Sequence, residues 1–235
     1  MATSAIKPTI PWFGFSFAAA CTTLIFFGFS FTLYPEVLSR LRPLVLYGHV
    51  ATAAAWMMLV VVQAGLAMRR KLALHRRIGA WGFGLGAVAA VTAFASALVL
   101  RHEHILQAAI DRRAGRIAFL SIPLNSAIVF SVLLACAYAW RHRPATHRRC
   151  MLLAAAILTL PAVARIPGID DAWRLVPTDA LILLLVAIDL VRERRVHPAY
   201  WIGVPGIFAM QFFTLQLYLD RPEWWIRTAS FLCGV

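Results

Sequence analysis

Two short segments with one pattern hold the side chains best suited to bind an anion or a metal. Each is a histidine followed by two arginines: His75, Arg76 and Arg77, then His147, Arg148 and Arg149. Each lies where a basic loop meets an apolar run. Free N–H groups at a helix start and guanidinium groups together form an anion site. The ligand could be an acidic headgroup, a quinone or a haem propionate, but basic loops that rest on lipid phosphates explain the same residues.

The remaining histidines limit how a b-type haem could be held. Two axial imidazoles must lie at equal depth on facing helices. His49 and His75 cannot be that pair, because about 20 helical residues, or roughly 30 Å, separate them. His75 with His147 satisfies the depth condition, and so does His49 with His102 or His104. Haem b therefore stays an open cofactor hypothesis, and we favour His75 with His147.

Other chemistry has weaker support in the sequence. The His102-Glu103-His104 segment, with His49 and Glu36 on the same side, is a candidate metal cluster, although His-x-His in a loop is a weak signal. The four cysteines form no Cys-x-x-Cys pair. No hydrolase motif occurs, so we predict no catalytic residue. Neither of the two lysines lies in an apolar run, which excludes a retinal protein.

The elements that must position these residues are membrane helices. Of the 235 residues, 61% are hydrophobic, and the charges sit in short loops between long apolar runs. We predict an all-α polytopic membrane helix bundle, a single domain with about seven transmembrane helices and no affinity for nucleic acid. The predicted spans are 11–34, 44–68, 79–100, 117–140, 150–166, 177–191 and 200–219, followed by an interfacial tail at 220–235.

Polar residues inside the spans predict a ligand pocket. His49, Trp56 and Gln63 are seven residues apart, and Thr52 shares their helical face. In hydrocarbon such a face turns to the bundle interior. We expect it to be joined by Asn125 and Gln211 in a small pocket open to the outer side. Hydrogen bonding between helices is the alternative explanation.

Small residues line one side of the third span, with Gly82 and Gly86 at the spacing typical of closely packed membrane helices. We therefore expect this helix to be the packed centre of the bundle.

Charge asymmetry predicts the orientation. With seven spans, 13 Lys and Arg lie on the side of the chain start, against 10 on the other side. The 13 crowd into tight loops beside the span ends, where the positive-inside rule acts. The N-terminus is thus expected in the cytoplasm, beside anionic lipid headgroups, and the C-terminus outside.

The segments Leu74-His75-Arg76-Arg77-Ile78-Gly79 and Thr146-His147-Arg148-Arg149-Cys150-Met151 resemble the signatures of a bacterial membrane family described only as a domain of unknown function. Its members have a His-Arg-x-x-Gly helix start and a later His-Arg-Arg-x-Met helix start. Arg194-Arg195-Val196-His197-Pro198-Ala199 is also similar. The resemblance covers about residues 40–200. It implies a multi-pass protein of the bacterial inner membrane and brings no established activity.

Three functions follow as alternatives. The first is a membrane protein that binds a small ligand, lipid or quinone in the interior polar pocket. The second is an electron-transfer protein with b-type haem. The third is a transporter of small solutes or ions, which would need a polar path from the pocket to Asp189 and the basic loops.

Overall fold

All regular secondary structure in the computed structural model is helical within the residues that it describes, which are 12–33, 42–169 and 173–235. In chain order the helices are α1 (Phe13–Thr32), α2 (Leu44–Met68), α3 (Leu72–Leu106), α4 (Ile110–Ala118), α5 (Ser121–Ala139), α6 (Pro144–Ile157), α7 (Leu160–Val163), α8 (Val176–Glu193), α9 (Pro198–Asp220) and α10 (Glu223–Cys233). The start of the chain before residue 12, most of the first loop, and Glu36 of the candidate metal cluster lie outside the described residues.

Within the described ranges, five segments are long and apolar enough to cross a membrane: Phe13–Thr32, Leu44–Met68, Leu72–Leu106, Ile110–Ala139 and Pro198–Asp220. They correspond to the first four predicted spans and the last one. The prediction of a membrane helix bundle is thereby confirmed. The fifth predicted span falls on the short helices α6 and α7, and the sixth falls on α8, whose 18 residues include four charged side chains.

Local sequence explains where several helices begin and end. Proline occupies the first turn of α6, α8 and α9, where its missing N–H costs nothing and its fixed φ favours the helix. Both α8 and α9 end at an arginine in the left-handed conformation, Arg194 with φ 56° and Arg221 with φ 49°. Such a residue turns the chain sharply after the last helical turn.

The helix at the centre of the bundle is α6. Leu153, Ala154, Ala155, Ala156 and Ile157 are fully inaccessible there, enclosed by α1, α5, α8 and α9. The expectation that the third span is the centre is wrong. A stripe of small residues lets a neighbour approach on one side only, whereas a central helix needs neighbours all round.

One side of α3 is packed closely and the other is exposed. A Cβ at Gly86 would lie 2.6 Å from Trp56 Nε1, and one at Gly82 would lie 3.0 Å from Leu59. On the outward side, Trp81 is 81% exposed and Val91 67%. The glycines therefore serve the approach of α2, as the spacing of small residues predicts, and Gly86 also makes room for Leu134 of α5, 2.8 Å from its Cβ position.

The bundle has two distinct ends. We call the end with the α2–α3, α5–α6 and α8–α9 loops the basic end. The start of α1 lies there too, because the Arg192 guanidinium stacks over Phe13 at 5.6 Å. We call the other one the opposite end. There α10, within the predicted tail, packs against α3, α4 and α9, and Trp225 Nε1 donates to the Ala118 carbonyl oxygen at 3.2 Å.

Candidate functional site: a histidine pair between two helical hairpins

The structure brings His75 and His147 together at the basic end. His75 lies in the first turn of α3, after the α2–α3 hairpin loop, and His147 lies in the first turn of α6, after the α5–α6 loop. Their ring centroids are 6.3 Å apart and the ring planes are nearly perpendicular, at 84°. Equivalent positions of two hairpins thus form one pair of imidazoles.

Each histidine is fixed through Nδ1 to the helix that precedes its own. His147 Nδ1 lies 3.0 Å from the Ala137 carbonyl oxygen in α5. A carbonyl only accepts, so His147 carries its proton on Nδ1 and leaves the Nε2 lone pair free. His75 Nδ1 lies 3.1 Å from the Gln63 carbonyl oxygen in α2. Neither Nε2 atom forms a hydrogen bond with any residue that the structure describes.

Gln63 adds a second partner for His75. Once the amide is turned to suit its neighbours, its nitrogen lies 3.1 Å from the His75 carbonyl oxygen and 2.6 Å from His75 Nδ1, and its oxygen accepts from the Gly79 N–H at 2.8 Å. His75 Nδ1 therefore has both a donor and an acceptor within reach, so these contacts do not fix its tautomer. The tautomer that donates from Nδ1 to the Gln63 carbonyl is the one that frees Nε2 as a ligand.

Aromatic residues flank the pair. The Phe83 ring lies 6.1 Å from His147 and 5.1 Å from Tyr138, both edge to face. The Arg141 guanidinium lies over Tyr138 at 4.4 Å. Sequence reasoning missed Phe83 and Tyr138, because one aromatic residue in an apolar run gives no sign of which helix it will face.

The four arginines beside the histidines differ in their surroundings. Arg149 is buried, with 1% of its surface exposed, and donates from Nε to Asp189 and from NH2 to Glu193 Oε1 at 2.5 Å. Arg148 NH2 lies 3.8 Å from Asp189 and 3.7 Å from Glu193. These two guanidinium groups are thus paired with the carboxylates of α8.

Arg76 and Arg77 on α3 are exposed and form no ion pair with the described part of the chain. Of the four arginines predicted to bind an anion, this is the pair whose charge stays available for one. The pairing of Arg148 and Arg149 was missed because their partners are 40 or more residues away.

Burial lowers the pKa of His197, a third histidine at the basic end, whose Nδ1 accepts from the Ala199 N–H at 3.1 Å and so begins α9. An uncharged imidazole is the form that binds a metal.

The other predicted pocket residues on α2 do not join this pair. Thr52 Oγ1 lies 3.1 Å from Thr92 Oγ1, which is 3.5 Å from His49 Nδ1. Trp56 is packed edge to face on Phe130 at 4.8 Å. His49 and Gln63 share a helical face, as predicted, but the 14 residues between them span about 21 Å along α2.

Asn125 and Gln211 each have separate surroundings. Asn125 is buried, and its Oδ1 has no hydrogen-bond partner among the described residues. Gln211 Nε2 donates to Asp179 Oδ1 on α8 at 3.1 Å. The six predicted pocket residues thus have different partners at different depths of the bundle. Hydrogen bonding between helices, the alternative explanation, accounts for the contacts of Thr52 with Thr92 and of Gln211 with Asp179.

The predicted metal candidates lie at the opposite end. His102 Nδ1 donates to the Cys233 carbonyl oxygen at 2.6 Å, which ties α3 to α10. Glu103 pairs with Arg42 at 3.4 Å. Within residues 12–33, 42–169 and 173–235, no three His, Cys, Asp or Glu side chains are grouped as a metal site. His104 is described as well and belongs to no such group.

Comparison with known proteins finds no relative of the chain. No protein-family model matches the chain. No curated protein and no solved structure is significantly similar to it.

Proposed function

We propose that the chain is a multi-pass protein of the bacterial inner membrane that crosses the bilayer seven times, with the basic end in the cytoplasm. The resemblance to the bacterial membrane family and the charge asymmetry support this location. Two segments besides the five apolar ones serve as crossings. Residues 144–163, in α6 and α7, would span about 30 Å, and α8 would span about 27 Å.

The charges of α8 do not prevent a crossing, because two of the four lie in its last turn and the other two, Asp179 and Asp189, are paired. Asp179 accepts from Gln211, and Asp189 accepts from Arg149. Paired and inward-facing carboxylates are the form in which membrane helices carry charge.

Reporter fusions test the topology at Gly168, in the loop between α7 and α8. Seven crossings place Gly168 outside, so a fused alkaline phosphatase is expected to be active there and a fused fluorescent protein dark. Fusions at His142 and Arg194 should give the reverse. If α6 to α8 do not cross, all three positions lie on one side, and the same reporter will be active at each.

We further propose that the protein binds a redox metal between His75 and His147, with the iron of a b-type haem as the first candidate and electron transfer as the function. The observation that carries this proposal is the paired geometry of the two rings. Two imidazoles on opposite sides of one metal ion, with metal–nitrogen bonds of about 2.0–2.1 Å, have ring centroids roughly 6 Å apart. The observed separation is 6.3 Å.

The surrounding residues fit such a ligand. Both Nδ1 atoms are held by backbone carbonyls, the second contact that orients metal-binding histidines. The exposed Arg76 and Arg77 could pair with propionates, as the sequence predicts for the arginines of this site. When bound, haem would supply a one-electron couple, while the chain sets the orientation of the imidazoles and excludes water through Phe83.

The two other functions have less support. A ligand pocket around His49 requires polar groups that converge, whereas the six predicted residues are divided among separate contacts. A transporter requires a polar path through Asp189, whose carboxylate is occupied by Arg149 and Arg148.

Purified full-length protein, produced with ample haem precursor, tests the metal proposal. We expect a reduced-minus-oxidised difference spectrum of bis-histidine haem and about one iron per chain by elemental analysis. His75→Ala or His147→Ala should lower bound metal about tenfold or more, since even outer-shell partners contribute 10- to 100-fold. His142→Ala is the matched control, because His142 is exposed in the loop at the same end.

Elemental analysis also separates the sources of a metal signal. If the protein is colourless and holds one copper ion per chain that both variants lose, copper replaces haem as the bound metal. One zinc ion per chain would contradict electron transfer, because zinc has no redox chemistry. A preparation without any bound transition metal, or one in which His142→Ala loses as much metal, contradicts the site.

A further inference from the structure

At the opposite end, a buried arginine has no counter-charge among the residues that the structure describes. Arg101, near the end of α3, has 7% of its surface exposed. Its guanidinium forms no hydrogen bond or ion pair with the described residues, and its Nε is fully buried without a partner. The guanidinium carbon lies 4.4 Å from the centre of the Phe119 ring.

The described groups near Arg101 do not neutralise its positive charge. Its electrostatic neighbours include Arg116, which has the same sign, together with Tyr218 and Cys233. Glu103, two residues along α3, is paired with Arg42 at 3.4 Å. A buried cation is costly unless an anion or a hydrogen-bond acceptor faces it, and an aromatic ring compensates only part of that cost. The surroundings of Arg101 therefore favour an anion.

A cavity of about 230 Å³ lies between the ends of α3 and α10, lined by residues that neighbour Arg101. It is lined by Leu98, Val99, His102, Leu232 and Cys233. His102 follows Arg101 in sequence, and Cys233 is in electrostatic contact with it. The lining is aliphatic apart from His102 and the thiol, so it suits a hydrocarbon chain better than a hydrated ion.

The cavity lies next to exposed apolar residues of α10. Leu232 is 42% exposed and its neighbour Phe231 is 84% exposed, while Trp224, in the first turn of the same helix, is 53% exposed. Exposed aromatic and aliphatic groups at a span end are typical of the membrane interface. An occupant can therefore enter from the lipid.

We propose that the opposite end binds one anionic phospholipid, with its phosphate at Arg101 and part of an acyl chain in the cavity lined by Leu98, Val99 and Leu232. This site is independent of the histidine pair, which lies at the basic end. It would anchor α10 to α3 through the lipid and through the His102–Cys233 hydrogen bond.

The test measures thermal unfolding and native mass spectra of the purified full-length protein. Dioleoyl-phosphatidylglycerol is expected to raise the melting temperature and to remain bound as one molecule per chain. Dioleoyl-phosphatidylcholine and inorganic phosphate should do neither. Arg101→Gln should lower the affinity for phosphatidylglycerol about tenfold, as expected for a lost hydrogen bond between charged groups.

Arg112→Gln is the matched control, because Arg112 lies at the same end with a side chain that is 77% exposed. If Arg101 serves only to bind a lipid, Arg101→Gln should leave the melting temperature of the lipid-free protein unchanged or raise it. Val99→Trp fills the cavity and keeps Arg101, and it should also weaken lipid binding. It tests the proposal independently if Arg101→Gln does not fold.

The proposal is overturned if phosphatidylcholine stabilises the protein as well as phosphatidylglycerol does, or if inorganic phosphate alone reproduces the effect. Unchanged lipid binding in Arg101→Gln, or in Val99→Trp where the first variant does not fold, overturns it as well.

Discussion

Replacement of Arg149 by methionine is expected to lower the free energy of unfolding by about 3–5 kcal/mol, the range for loss of one partner from a buried ion pair. Arg149 joins the start of α6 to the end of α8 through Asp189 and Glu193, and it also donates to the Ala145 carbonyl oxygen at 2.9 Å. Asp189 is 3% exposed, so water cannot replace the lost guanidinium. Unfolding in detergent, followed by tryptophan fluorescence, measures the change.

Arg148→Met is the matched control. Arg148 is the next residue, contacts the same two carboxylates at 3.7–3.8 Å, and has a side chain that is 39% exposed. Its loss should cost no more than about 1 kcal/mol. The double variant Arg149→Met/Asp189→Leu should recover much of the stability, since it removes both buried charges. Equal effects of Arg148→Met and Arg149→Met would show that burial of Arg149 does not matter.

This ion pair also bears on the histidine site. Arg149 lies two residues after His147, within the first turns of α6. If Arg149→Met displaces the start of α6, bound metal should decrease along with stability, whereas Arg148→Met should keep both.

A second large effect is expected for Gly28→Ala. A Cβ on Gly28 would lie 2.6 Å from the Ala162 carbonyl carbon and closer still to its oxygen. These are backbone atoms of α7, so no side-chain rotation can relieve the overlap. Overpacking of this kind costs about 1–3 kcal/mol. We expect a loss of stability of that size, measured by the same unfolding assay.

Gly14→Ala provides the comparison within the same helix. A Cβ on Gly14 meets nothing within 4 Å. The variant should unfold like the original protein, or be more stable by up to about 1 kcal/mol because alanine favours a helix. Equal destabilisation by both substitutions would mean that α1 does not pack on α7 as described.

The sequence by itself determined the class of protein and the residues worth examining. Long apolar runs need no knowledge of neighbours to indicate membrane helices, because a helix satisfies its own backbone hydrogen bonds. The repeated His-Arg-Arg segments likewise indicated His75 and His147, since two hairpins of one kind place equivalent residues at one end.

Only the tertiary structure decided which side chains contact each other across helices. Gln63 shares a helical face with His49, yet the return of the chain into α3 makes His75 its neighbour. Periodicity shows which residues share a face of one helix but not which helix that face will meet. The two arginines after His147 read like those after His75, but only the former pair lies beside α8.

Burial was likewise decided by packing. The alanines of α6 and the small residues of α3 look alike in the sequence, and only the arrangement of α1, α5, α8 and α9 makes α6 the centre. Arg101 looked like an ordinary loop cation beside His102. The packing of α4, α9 and α10 over the end of α3 buries it with no counter-charge among the described residues, and no local pattern carries that information.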